Sequence, residues 1–114
     1  MIAFVSGHRD LTEEEFDLHY VPELERAVEW GTWIIVCDYY GADIMTQAWL
    51  LGRGYGNVTV VHMLDAPRNY VGTFETVGRF KSDEERDAWC TAHSDYDIAW
   101  SRKPGSGTAR NLER

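Results

Sequence analysis

Thr32-Trp33-Ile34-Ile35-Val36-Cys37 is the stretch from which the fold can be read. It is β-branched or aromatic up to its last residue and carries no charge, the composition of a strand. Polar and apolar residues do not alternate along it. A continuous apolar run of this length marks a strand covered on both faces, the condition of a parallel sheet. Ile2-Ala3-Phe4-Val5 and Val58-Thr59-Val60-Val61-His62-Met63 read the same way, and Asp97-Ile98-Ala99-Trp100-Ser101 supplies a fourth strand.

Helical patterns lie between these runs. Thr12-Glu13-Glu14-Glu15 is a capping box, with Thr12 as N-cap and Glu15 three residues on. Phe16, Tyr20, Leu24, Ala27 and Val28 then share one helical face, which Pro22 interrupts. The proline predicts a kink, or two short helices of which Pro22 begins the second. A helix over about 43–53 places Ile44, Ala48 and Leu51 inward and is closed by Gly52, Gly54 and Gly56. Ser82-Asp83-Glu84-Glu85 opens another, to about residue 93, with Ala88, Trp89 and Ala92 toward the core. Residues 64–81 show no periodicity and contain Pro67, Gly72 and Gly78, which predicts a long loop and a candidate lid. Strands alternating with helix-sized connections give an α/β fold whose sheet is built by right-handed crossovers. We expect one domain over 1–114 with four or five mostly parallel strands in the order 3-2-1-4.

The totals exclude several classes. Hydrophobic content of 44% is too high for a disordered chain, and no apolar run approaches the length of a membrane span. The chain opens on a strand without a basic-then-apolar leader, and Cys37 and Cys90 show no metal-site spacing. The cysteines read as buried free thiols, which points to the cytoplasm; a disulfide or redox pair is the alternative. A net charge of −8 argues against general nucleic-acid binding. The charge is uneven: residues 1–101 carry 7 basic and 18 acidic side chains, residues 102–114 carry 4 and 1.

That basic end holds Ser101-Arg102-Lys103-Pro104-Gly105-Ser106-Gly107-Thr108-Ala109-Arg110-Asn111. A strand, a glycine-containing loop and a helix start in that order present converging N–H groups and a positive dipole end to an anion. Open parallel sheets bind ligands beyond the carboxyl ends of the strands, where the winding direction reverses. With the order 3-2-1-4 this point lies between the first and fourth strands, so Ser6-Gly7-His8-Arg9-Asp10 forms the opposite wall. Arg9, Arg68, Arg102, Lys103 and Arg110 all fall just past a predicted strand.

Three of these motifs together resemble the SLOG superfamily: Ser6-Gly7-His8-Arg9-Asp10, Gly41-Ala42-Asp43, and Gly105-Ser106-Gly107-Thr108. That superfamily comprises Rossmann-like nucleotide-binding proteins and includes the lonely-guy phosphoribohydrolases and the YspA/YpsA-like sensors. The related nucleoside deoxyribosyltransferases show a similar Gly-Thr loop. The resemblance implies a Rossmann-like three-layer sandwich that binds a nucleotide or nucleotide-derived phosphate. One departure bears on chemistry. The lonely-guy loop continues Gly-Thr-x-x-Glu with a catalytic glutamate, whereas Gly107-Thr108-Ala109-Arg110 is followed here by Asn111. An amide cannot act as a base or stabilise an oxocarbenium centre as a carboxylate does.

The expected site therefore comprises Gly105, Ser106, Gly107 and Thr108 around a phosphate, Arg9 and Arg110 neutralising it, Ser6, Gly7 and His8 opposite, and Asp43 or Asp38 at a sugar. Asp43 also reads as a helix N-cap. The alternative is an N-glycosidic bond hydrolase or nucleoside deoxyribosyltransferase acting on nucleosides or their monophosphates, with Asp38 or Asp10 as the carboxylate. Tyr39, Tyr40 and Tyr70 are candidates to stack on a base. Neither a metal nor a cofactor is called for. Trp33, Trp89 and Trp100 fit the core, whereas Trp30 and Trp49 on outer helical faces suggest a homodimer.

Overall fold

The computed structural model describes residues 1–102. In chain order it contains β1 (Ile2–Val5), α1 (Glu13–His19), α2 (Val21–Glu29), β2 (Trp33–Cys37), α3 (Ala42–Gly52), β3 (Val58–Val61), β4 (Glu75–Val77), α4 (Asp83–Ala92) and β5 (Tyr96–Ile98). The five strands form one sheet in the order β4-β3-β2-β1-β5, and every neighbouring pair is parallel. The expected 3-2-1-4 order is contained in it, with β5 as the fourth predicted strand. The added edge strand β4 comes from the segment expected to be loop.

Alternate strand residues face opposite ways, and each face has its own core. Ala3, Val5, Ile34, Val36, Val58, Val60 and Ile98 pack against Phe16, Tyr20, Leu24, Ala27, Ala42 and Leu50 from α1, α2 and α3. Phe4, Ile35, Cys37 and Val61 pack on the other face against Cys90 of α4, with Phe80 and Trp89 at the margin. Helices thus cover both faces, making three layers, and this double cover is why the strands read as unbroken apolar runs.

Local signals account for most boundaries. Thr12 and Glu15 close the capping box reciprocally: the Glu15 N–H donates to Thr12 Oγ1 at 3.1 Å and the Thr12 N–H to Glu15 Oε1 at 3.0 Å. The proline divides the first helical region in two, with Pro22 in the first turn of α2. Two predicted helical faces are corrected. On α3 the buried residues are Ala42, Asp43, Thr46, Gln47 and Leu50, with Ala48 and Leu51 exposed. On α4 they are Arg86 and Cys90, with Ala88 and Ala92 exposed. Both helices turn polar side chains inward because, from opposite faces of the sheet, they converge on a buried polar cluster just past the carboxyl end of β2. Trp33 is 36% exposed rather than core, and Trp49 packs half-buried against the core with the Arg53 guanidinium over its ring.

Gly41 joins the loops of β1 and β2. Its φ is 69°, and a Cβ there would collide with the carbonyl oxygens of His8 and Arg9. The Ala42 N–H donates to the His8 carbonyl at 3.1 Å, so the β1 loop caps the start of α3. We expect Gly41→Ala to destabilise the protein by about 2 kcal/mol or more, since it combines left-handed strain with backbone overlap. A shift of the urea midpoint equivalent to less than half of that would contradict this packing.

Candidate functional site at the carboxyl edge of the sheet

The carboxyl ends of β1 and β5 are joined by one buried phenol. Tyr20 Oη donates to the Ser6 carbonyl at 2.7 Å and accepts the Trp100 N–H at 3.1 Å. Burial pushes its pKa up to about 12, so it stays a neutral donor–acceptor bridge. The Ser6 N–H completes the link through the Ile98 carbonyl at 3.2 Å. Gly7 lies against this bridge, where a Cβ would meet the Tyr20 hydroxyl and Ala42 Cβ. The Ser6 hydroxyl is buried and has no hydrogen-bond partner among the described residues.

Arg102, one of the basic residues just past a predicted strand, is held by the protein itself. Its guanidinium grips Glu15 through two 2.6 Å bonds and reaches Asp10 Oδ1 at 3.1 Å, while its N–H donates to His8 Nε2 at 2.9 Å. Hydrogen bonds from Arg102 lower both carboxylates, Glu15 to about 2. The capping glutamate of α1 therefore also anchors the β5 loop.

Beside this, the β2 loop carries the buried polar cluster. Asp38 has no exposed surface. Its Oδ2 accepts the Arg68 N–H at 2.8 Å and Nε at 3.1 Å, and Oδ1 accepts Arg68 Nη2 at 2.8 Å. Arg86 Nη1 stands 3.9 Å from Oδ1. Burial raises the Asp38 carboxyl, but the Arg68 hydrogen bonds and the two positive charges outweigh it, leaving the pKa below the usual value. Asn69 donates to the Asp38 carbonyl at 2.9 Å, and Gln47 bonds both the Asn69 carbonyl and the Val71 N–H. The predicted lid is thus tied at 68–71 to β2 and α3.

Asp43 is neither an N-cap nor solvent-facing. Gly41 is the N-cap of α3, and Asp43 turns inward to accept the Tyr39 N–H at 3.1 Å. Burial raises its pKa to about 7, against the Tyr39 N–H and the Arg86 charge, which lower it.

Tyr39 is the surface of this cluster. The guanidinium carbons of Arg9 and Arg68 lie 4.0 and 4.1 Å from its ring centroid, and that of Arg86 lies 5.6 Å away. Every arginine among the described residues except Arg9 has a carboxylate within 4 Å. Arg9 is exposed and rests on an aromatic face, without a carboxylate partner among the described residues.

The fold therefore brings Ser6, Gly7, His8, Arg9, Asp10, Asp38 and Asp43 to one edge, but splits them. His8 and Asp10 turn to Arg102 on the β5 side, whereas Arg9 turns to Tyr39 on the β2 side. Lys103, Gly105, Ser106, Gly107, Thr108, Arg110 and Asn111 lie outside the described residues. Sequence reasoning missed Arg86, Gln47 and Asn69 as parts of this cluster. Arg86 was hidden by the rule that charges stay outside, which fails where buried carboxylates await them. Among the described residues no group of His, Cys, Asp and Glu could hold a metal ion, and no helix is long and apolar enough to cross a membrane. No protein-family model, curated protein or solved structure matches the chain.

Proposed function

We propose that the protein binds a nucleotide or nucleotide-derived phosphate at the carboxyl edge of its sheet, in the manner of a SLOG-like sensor or binding protein. The observation that carries this reading is Arg9. In a chain with 19 acidic and 11 basic residues, a guanidinium without a carboxylate among the described residues and laid on an aromatic ring is a cation preorganised for an external anion. Its loop follows β1 at the carboxyl edge of the sheet, the edge at which open parallel sheets bind ligands, and its side chain lies between the β1 and β2 loops. Free buried thiols suit the cytoplasm, where they stay reduced.

Binding is preferred to catalysis because the candidate carboxylates are already engaged. Asp38 holds Arg68 and Asp10 holds Arg102. The second reading, an N-glycosidic bond hydrolase or nucleoside deoxyribosyltransferase, is favoured by Asp43, whose carboxyl titrates near neutral pH in a buried setting suited to acid–base work.

A thermal-shift panel of nucleoside monophosphates, ADP-ribose and cyclic nucleotides tests the proposal. A ligand at a hundred times its Kd stabilises by about 2.7 kcal/mol, a rise on the order of 10 °C for a chain of this size. No shift with any of them would remove the binding reading. Free base released from a monophosphate, and lost in Asp43→Asn, would replace it with the enzymatic one.

A further inference from the structure

The β5 side of the carboxyl edge carries an aromatic surface that the contacts of Arg9 do not use. Trp100 stands two residues past β5, half-buried, and is the only one of the five tryptophans just beyond the carboxyl end of a strand. Its N–H donates to Tyr20 Oη at 3.1 Å, and the same hydroxyl donates to the Ser6 carbonyl, which fixes this backbone against the end of β1. The His19 ring stacks on the indole, with centroids 4.1 Å apart and planes 8° from parallel. His8 meets it edge-on at 6.0 Å, and the Arg102 guanidinium lies 5.9 Å from its centroid. The indole is a flat surface held in one orientation and partly open to solvent.

We propose that Trp100 is the base-stacking wall of the site: the phosphate meets Arg9 on the β2 side, and the base lies against the indole on the β5 side, across the end of β1. This rests on the phosphate reading of Arg9 and narrows the ligand to a nucleotide that keeps its base. An indole offers a base a broad π-face, and stacking on it needs no matched hydrogen bonds. Because His19 and Tyr20 already order the residue, little entropy is lost when a base covers it. Tyr39, Tyr40 and Tyr70 stand on the β2 side with the phosphate, and the Tyr39 ring already carries Arg9 and Arg68 at 4.0 and 4.1 Å. His8, edge-on to the indole, and Arg9, on Tyr39, are consecutive residues whose side chains diverge. A sugar separates base from phosphate in the same way.

Calorimetric titration of the intact protein with adenosine monophosphate and with ribose 5-phosphate, which has the same phosphate and no base, tests this. Wild type should bind the nucleotide about fivefold to a hundredfold more tightly, the worth of one stacked base. Trp100→Leu should remove most of that preference. Trp100→Phe keeps a ring against the core and should retain part of it, so the test survives if leucine costs the fold. The nucleotide should also quench the tryptophan fluorescence of wild type, and quench that of Trp100→Phe far less at equal occupancy. Equal wild-type affinities for the two ligands would overturn the stack and leave the phosphate reading standing. So would a preference, or a quenching, undiminished in the Trp100 variants. Binding of neither ligand would overturn both.

Discussion

Asp38→Ala should remove about 3–5 kcal/mol of folding stability, the largest effect expected of any single side chain in the site. The carboxylate has no exposed surface and takes three hydrogen bonds from Arg68, with Arg86 Nη1 at 3.9 Å. Its removal strips Arg68 of its carboxylate and releases the 68–71 segment from β2, while Arg86 keeps Asp83 at 3.2 Å and Asp87 at 3.3 Å. A partly buried cation stripped of its partner is worse than no ion pair at all. Consequently Asp38→Ala combined with Arg68→Ala should cost less than the two single changes added together. Urea unfolding of the three variants measures this. Strict additivity, or a loss below about 1 kcal/mol for Asp38→Ala, would contradict the buttress role.

The protein should lose about 2–3 kcal/mol of stability between pH 5 and pH 8, and Asp43→Asn should abolish most of that loss. The folded-state pKa of Asp43 is raised from 3.8 to about 7. A raised acid binds its proton more tightly in the folded state, so the stabilisation is present at low pH and decays as pH rises toward 7. Asp87 is also raised by burial and acts in the same direction. Asp10, Glu15 and Asp38 are lowered, so their contributions are lost only in acid, below the window. Asparagine keeps an oxygen for the Tyr39 N–H and has no proton to release. All other titrating groups are common to both proteins, so the difference between their two pH slopes belongs to Asp43. Parallel slopes would refute the rise that burial imposes on its pKa.

The strands were legible because burial on both faces leaves a plain mark in composition. Ile2–Val5 and the break before Pro22 follow from the sequence directly. Glu75–Val77 did not show because it is a three-residue edge strand with one apolar residue, held by pairing to β3 rather than by a buried face. The inward faces of α3 and α4 were misread for a related reason. Helical patterning assumes an apolar interior, whereas Asp43, Gln47 and Arg86 face a polar one that assembles only in three dimensions. In the site, position past a strand identified Arg9, Arg68 and Arg102 as one set. Which of them stays unpaired depends on Asp38 and Glu15, residues 30 and 87 positions from their partners.

The most direct measurement is a calorimetric titration of wild type and Arg9→Ala with the nucleoside phosphate that stabilises the protein most. Arg9 is exposed and bears no ion pair among the described residues, so its removal should leave the unfolding midpoint nearly unchanged. Affinity should fall by about tenfold to a hundredfold, the worth of a charge-assisted bond to phosphate, with Arg9→Lys in between. Equal affinity in wild type and Arg9→Ala would show that the unpaired guanidinium on Tyr39 is not where the anion binds.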